Sequence, residues 1–275
     1  MCFPSDDQSA DARVAAAAAV FSTLKVPVGK SQDRNDHELR FRSVLKELVV
    51  VTAARQAPPT SQNDTVFLFD WDDTLFGTTH LEQLGYMDII NVSQPDDAPR
   101  SPLSILAPAS LDDLAAQLQQ LDYLAAEVLA RAAQRGRVVI VTNAGDGWVQ
   151  ISSERFLPRV KAVLDSFTIR IVSARGRYFD DFPDTPCEWK VHAFADELRG
   201  AKERNIIVLG DSVSDQYAAH KATADAGPPN MLLKFVKFAE RPTVRHLHRQ
   251  LSVARDSIDE IVQHNSSFDV NVVAC

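Results

Sequence analysis

The chain has 275 residues, 45% of them hydrophobic and 24% charged, with a formal net charge of −8. This is the composition of an ordinary soluble globular protein, long enough for one large α/β domain with appendages. The negative field disfavours wholesale binding to nucleic acid or to an anionic membrane, and no apolar run approaches the length that spans a bilayer.

Residues 1–35 are small and polar, broken by Pro4, Pro27 and Gly29, and are expected to form a tail. An alanine-rich run at residues 14–21 follows Asp6, Asp7 and Asp11, whereas a signal or transit peptide carries positive charge there. Residues 37–55 place Phe41, Val44, Leu45 and Leu48 at helical spacing behind Asp36 as N-cap, which predicts a helix. Pro58 and Pro59 end this appendage, so residues 1–62 are assigned to an N-terminal tail with one helix. Cys2, Cys187 and Cys275 lie far apart and form no CxxC or zinc spacing, which predicts no disulfide framework and a reducing, cytoplasmic setting.

From residue 63 the pattern changes. Val66, Phe67, Leu68 and Phe69 form a continuous apolar run that stops at Asp70, as a strand buried on both faces does. Similar runs occupy residues 138–141, 206–209 and 231–238, and a weaker one, interrupted by Thr168 and Arg170, spans 167–172. Helical patterns lie between most of them. Leu111, Leu114, Leu118, Leu121, Val128 and Leu129 make one stripe, started by Ser110 with Asp113. Residues 148–164 make a second, broken near Pro158, and residues 186–198 a third, in which Thr185, Pro186 and Glu188 spell a capping box. Residues 242–263 make a fourth, with Leu247, Leu251, Ile258 and Ile261 inward. Strands alternating with helices predict a doubly wound parallel sheet in a three-layer α/β/α domain over residues 63–265. Residues 75–86 read as a short hairpin or turn, residues 76–110 as a proline-bearing loop insertion, and residues 266–275 as a C-terminal tail.

Ligands of open parallel sheets bind outside the carboxyl ends of the strands. The residues expected there are Asp70, Asp72, Thr142, Asn143, Asp211 and Asp215, joined by Lys190 from the preceding helix. Several carboxylates brought together repel one another, and a hard cation that keeps part of its water shell, such as Mg2+, relieves the repulsion. A carboxylate can attack phosphorus to give an acyl phosphate. Lysine and metal would neutralise the phosphoryl oxygens, a hydroxyl and backbone N–H groups would orient them, and Asp72 would protonate the leaving oxygen and later activate water.

Asp70-Trp71-Asp72-Asp73-Thr74, then Thr142 at a strand end, then Lys190, then Gly210-Asp211-Ser212-Val213-Ser214-Asp215 resemble in order the motifs of the haloacid dehalogenase superfamily. Each motif alone has a bland reading: a capped turn, a locally bonded strand-end hydroxyl, a solvated lysine, a helix-start acid. The full set, in order at the expected places, outweighs those readings. The resemblance covers residues 65–240 and implies a Rossmann-like core with a magnesium-dependent phosphatase activity. It implies that Asp70 is nucleophile and metal ligand, and that Asp72 is acid/base, with its main-chain carbonyl on the metal. Thr142 and Asn143 would bind substrate, Lys190 would steady nucleophile and phosphate, and Asp211 and Asp215 would be metal ligands. The retained Asp72 resembles phosphatases and phosphomutases, not dehalogenase-type members.

Other features stay bland. Arg175 and Arg177 read as loop charge, Trp148 and Trp189 as packing, and Arg245, His246, His248 and Arg249 as a solvated helix face. No folded cap is visible after Thr74, so a capless or minimally capped enzyme acting on a phosphoprotein or a small phosphometabolite is expected. Two alternatives compete with it. One is an inactive scaffold, which the intact motif set disfavours. The other is a receiver-like phospho-acceptor, whose acids come in a different order.

Overall fold

The structure, a computed structural model, describes residues 64–86, 108–227 and 230–272. The expected helix at residues 37–55, the tail before it and most of the 76–110 insertion lie outside the described residues. In chain order the elements are β1 (Thr65–Phe69), α1 (Thr78–Gln83), α2 (Pro108–Ala133), β2 (Arg137–Thr142), α3 (Trp148–Phe156), α4 (Pro158–Ser166) and β3 (Arg170–Ser173). Then come α5 (Ala174–Tyr178), α6 (Pro186–Leu198), β4 (Asn205–Gly210), α7 (Val213–Ala226), β5 (Leu232–Lys237), α8 (Val244–Gln263) and β6 (Phe268–Asn271). The six strands form one sheet in the order β3-β2-β1-β4-β5-β6, and every pairing is parallel. The chain is therefore an α/β protein with a doubly wound, Rossmann-like sheet.

The continuous apolar runs follow from burial on both faces. In β1, Phe67 and Phe69 point to one side and Val66 and Leu68 to the other, the period of two that a strand imposes. The first face packs against Leu121 and Leu129 of α2, Val160 of α4 and Leu247, Leu251 and Ile258 of α8. The second packs against Trp189 and Phe194 of α6 and Ala218 and Ala222 of α7. Because β1 lies between β2 and β4, its carboxyl end sits where the strand order reverses, the crevice at which such sheets bind ligands.

The structure departs from the sequence reading at several places. The third strand starts at Arg170, because Phe167, Thr168 and Ile169 are consumed in ending α4. The Thr168 N–H donates to Asp165 O and the Ile169 N–H to Leu164 O, with Thr168 in the left-handed region at φ 50°, which is a Schellman cap. Residues 75–86 hold the helix α1 instead of a short hairpin or turn. The C-terminal tail contains β6, whose Phe268-Asp269-Val270-Asn271 alternation suits an edge strand. Helix α2 starts at Pro108, ahead of Ser110. At α6 the expected capping box is not made: Thr185 contributes only its carbonyl, to the Glu188 N–H. The break at Pro158 does occur, and the buried Asp122 on α2 caps the new helix by accepting from the Arg159 and Val160 N–H groups. Among the described residues no helix is long and apolar enough to cross a membrane.

Lys234 on β5 is fully buried, and its Nζ donates to the carbonyl oxygens of Ile261 (2.7 Å) and Val262 (3.1 Å) near the end of α8. Burial pulls its ammonium down to about 7 from 10.5. Between those values the unfolded chain binds more protons, so this lysine makes stability rise with pH across that window. Denaturant midpoints should therefore climb from pH 7 towards pH 10 more steeply in the wild type than in Lys234→Met. Parallel curves for the two proteins would contradict that account.

Candidate active site

Three loops at the carboxyl ends of β1, β2 and β4 build the site. The loop after β1 is a tight turn around one carbonyl: Trp71 O accepts from the N–H groups of Thr74, Leu75 and Phe76. Asp73 takes the left-handed region at φ 56° to allow this, and its Oδ1 accepts from the Thr79 N–H at 3.0 Å. The turn leaves Asp70 buried at the strand end, where its own N–H still donates to Leu209 O of β4 at 2.9 Å. The adjacent side chains Trp71 and Phe76 are fully buried in the core beneath it.

Lys190 reaches this point from α6. Its Nζ lies 2.6 Å from Asp70 Oδ1 and also pairs with Asp215 Oδ1, and all three side chains are nearly inaccessible to solvent. The other oxygen of Asp215 belongs to a capping box. Asp215 Oδ2 accepts from Ser212 N and Ser212 Oγ while the Asp215 N–H donates to Ser212 Oγ. Gly210 makes this approach feasible, because a Cβ there would stand 2.7 Å from Asp215 Oδ2.

Asp70, Asp211 and Asp215 each offer one carboxylate oxygen, and these oxygens lie within 4.8 Å of one another. One ammonium faces three carboxylates. Burial, followed by the opposing effect of Lys190 and the repulsion of Asp215, Asp211 and Asp72, leaves the Asp70 carboxyl well above the usual carboxylate range. Burial and then Asp215 push Asp211 up to about 7 in spite of Lys190. Lys190 itself is pulled down by burial, but Asp215 and Asp70 outweigh that and hold it above an ordinary lysine. A bridging lysine would normally depress Asp70; here burial, with the like charges behind it, outweighs Lys190. The donor set, hard oxygens only, fits a magnesium-type cation. Asp215, with both oxygens engaged, is the least free of the three to bind it directly.

Asp72 is turned away from this cluster. Its Oδ1 accepts from Thr78 Oγ1 (2.5 Å) and Trp148 Nε1 (2.8 Å), and its Oδ2 from Thr142 Oγ1 (3.0 Å). Its carboxylate is therefore not part of the acidic group, which leaves only its main-chain carbonyl for the metal role the sequence resemblance implies. Thr142 Oγ1 also accepts from the Ala144 N–H (3.0 Å). Behind this loop Ser173 Oγ donates to Ala144 O (2.7 Å) and accepts from Gly176 N (2.8 Å), pinning residues 142–144 in place. Asn143 Oδ1 is buried without a hydrogen-bond partner, an acceptor left for a donor that the protein does not supply.

The fold thus gathers Asp70, Lys190, Asp211 and Asp215 at one point and sets Asp72 with Thr142 beside them. Sequence reasoning missed Thr78, Trp148, Ser173 and Lys237. The Nζ of Lys237 donates to Asp211 O at 2.8 Å and holds the loop after β4. Lys237 ends a strand at the functional edge of the sheet, which was a readable signal. Trp148 was readable only as a packing residue at a helix start. No family model, curated protein or solved structure matches this chain.

The raised Asp211 gives a pH signature. With its folded value near 7 and its ordinary value at 3.8, the folded state binds more protons in between, so metal-free stability falls as pH rises through that window. Asp211→Asn should flatten the fall and raise the metal-free denaturation midpoint at pH 8 while changing little at pH 4. Equal shifts at both pH values would refute the crowding argument.

Proposed function

We propose that this chain is a magnesium-dependent phosphohydrolase of the haloacid dehalogenase type, hydrolysing a phosphomonoester through an aspartyl phosphate at Asp70. The observation that carries the reading is the buried Lys190 bridge between Asp70 and Asp215 at the point where the strand order reverses. It supports a site in which one carboxylate is held at fixed orientation in a field that a divalent cation and a phosphoryl group would complete. Bound magnesium would supply the missing positive charge, keeping Asp70 and Asp211 ionised and shielding the phosphoryl oxygens.

The chain's own residues divide the remaining work. Lys190 holds Asp70 Oδ1, while Asp70 Oδ2 takes a long contact from Thr74 Oγ1 at 3.4 Å, which favours Oδ2 as the attacking atom. As the bond from Asp70 to phosphorus forms, the ester P–O bond breaks and Asp72 gives its proton to the leaving oxygen. Asp72, now a carboxylate, takes a proton from water as the water oxygen bonds to phosphorus. The Asp70–phosphorus bond breaks, inorganic phosphate leaves and Asp72 is protonated again. Thr142, Asn143 and Lys190 would bind the phosphoryl oxygens, Lys190 with its fixed charge in a buried setting where such charge acts strongly. The substrate is a phosphorylated small molecule or protein; the site chemistry selects the phosphoryl group, not its carrier.

Asp70→Asn should abolish magnesium-dependent phosphate release from an aryl phosphate while retaining cooperative unfolding. Asp72→Asn should lower steady-state turnover by roughly 10²-fold or more, the range of positioned acid–base groups. Wild-type turnover in Asp70→Asn, checked by phosphate assay and circular dichroism on the same preparation, would rule the mechanism out.

A further inference from the structure

Helix α3 bears on Asp72 in a way that packing alone does not require. Its first residue, Trp148, is half-buried, and the indole lies against Phe76 with ring centroids 6.3 Å apart. A packing role would be complete with that. Yet the indole Nε1 also donates to Asp72 Oδ1 at 2.8 Å. The helix start is itself tied to the loop after β1: Trp71 Nε1 donates to Ser152 Oγ (3.0 Å), and Ser152 Oγ donates to Trp148 O (2.7 Å). Gly147, at φ 84°, supplies the left-handed residue that turns the chain into α3 directly before Trp148. The indole therefore lies against Phe76 on a helix start tied to the loop after β1, with its N–H on the carboxylate.

The three donors to Asp72 are not equivalent. Thr78 and Thr142 carry hydroxyls, which can donate or accept. The indole N–H can only donate. The indole therefore fixes Asp72 Oδ1 as its acceptor and leaves Oδ2 turned to Thr142. That oxygen faces Thr142 Oγ1, 3.0 Å away, the side on which the phosphoryl group would bind. The Thr142 hydroxyl can rotate to donate to Oδ2 or accept from it, whereas the indole offers Oδ1 a donor only.

We propose that Trp148 is a positioning residue whose indole N–H on Oδ1 holds the Asp72 carboxyl with Oδ2 towards Thr142 and the phosphoryl side of the site. This rests on the phosphohydrolase reading above. On that reading the acid matters most when the leaving oxygen is basic. Losing Trp148's donor should therefore penalise poor leaving groups selectively, whereas a merely structural loss would lower turnover of all esters alike.

The test compares wild type with Trp148→Phe, which keeps a ring against Phe76 and removes the N–H. Two substrates of similar shape are used with magnesium, p-nitrophenyl phosphate and unsubstituted phenyl phosphate, the second having the more basic leaving oxygen. The value of kcat/KM is the readout, because it reports the steps up to loss of the leaving group and not the later hydrolysis of the phosphoenzyme. The expected result is a loss of roughly tenfold on phenyl phosphate and less than about threefold on p-nitrophenyl phosphate. Equal losses on the two esters, or none, overturn the positioning role while leaving the phosphohydrolase reading intact. A wild type that releases phosphate from neither ester overturns both.

A second measurement does not depend on how Trp148→Phe folds. The sequence has three tryptophans, so a 15N-labelled sample shows three indole N–H resonances. Asp72→Ala should move the Trp148 resonance strongly upfield, as expected for loss of a charge-assisted hydrogen bond, and leave the Trp189 resonance, whose N–H donates to Phe182 O, in place. An unmoved Trp148 resonance overturns the proposal whatever the kinetics give.

Discussion

The arrangement at the sheet edge depends on one buried ammonium. Lys190 is buried, so its charge is tolerable only because Asp70 and Asp215 are in contact with it, and those carboxylates are tolerable only because of Lys190. The mutual dependence fixes three elements relative to one another: the end of β1, the middle of α6 and the first turn of α7. Other local features serve this contact. Gly210 lets Asp215 lie against β4, the Ser212 box ties up the second Asp215 oxygen, and the Lys237 ammonium anchors the Asp211 carbonyl. Removing one member of a buried set of this kind typically costs about 3–5 kcal/mol, because it strands the others without compensation.

The same contact leaves an imbalance. Among Asp70, Asp211 and Asp215 there is one ammonium for three carboxylates, and the raised values of Asp70 and Asp211 express burial first and the remaining repulsion second. A protein selected only for stability would have little use for this cluster, since hydrophobic residues would fill the space with less strain. Proteins tolerate such conflicts at functional sites, where a ligand supplies the missing charge. The proposed phosphohydrolase reading gives that ligand a chemical identity: a hard cation together with a phosphoryl group.

Much of this was legible in the chain, for identifiable reasons. The strands β1, β2 and β4 are buried on both faces, so they announce themselves as unbroken apolar runs, and each stops at the polar residue that serves the site: Asp70, Thr142, Asp211. Edge elements were harder. β3 lost its first residues to the cap that ends α4, which a β-branched threonine forms in the left-handed region, an uncommon choice that no pattern predicts. β6 is short and half-buried, so its alternation was too brief to separate from a tail. Within the site, the acids and Lys190 were readable because strand ends and a helix that starts at Pro186 placed them. Trp148 and Thr78 were not, because their role depends on a rotamer of Asp72 that points away from the acidic group and towards α3. Sequence spacing carries no information about that direction.

Covalent phosphorylation of Asp70 is what the proposed reading requires. It is tested most directly by trapping. Asp72→Asn protein incubated with magnesium and p-nitrophenyl phosphate, quenched and reduced with borohydride, should yield homoserine in place of Asp70 when its peptides are mapped by mass spectrometry. The wild type, which turns the intermediate over, should yield less, and Asp70→Asn none. Homoserine at Asp211 or Asp215 instead, or no reduction product in a variant that still releases nitrophenol, would contradict the account.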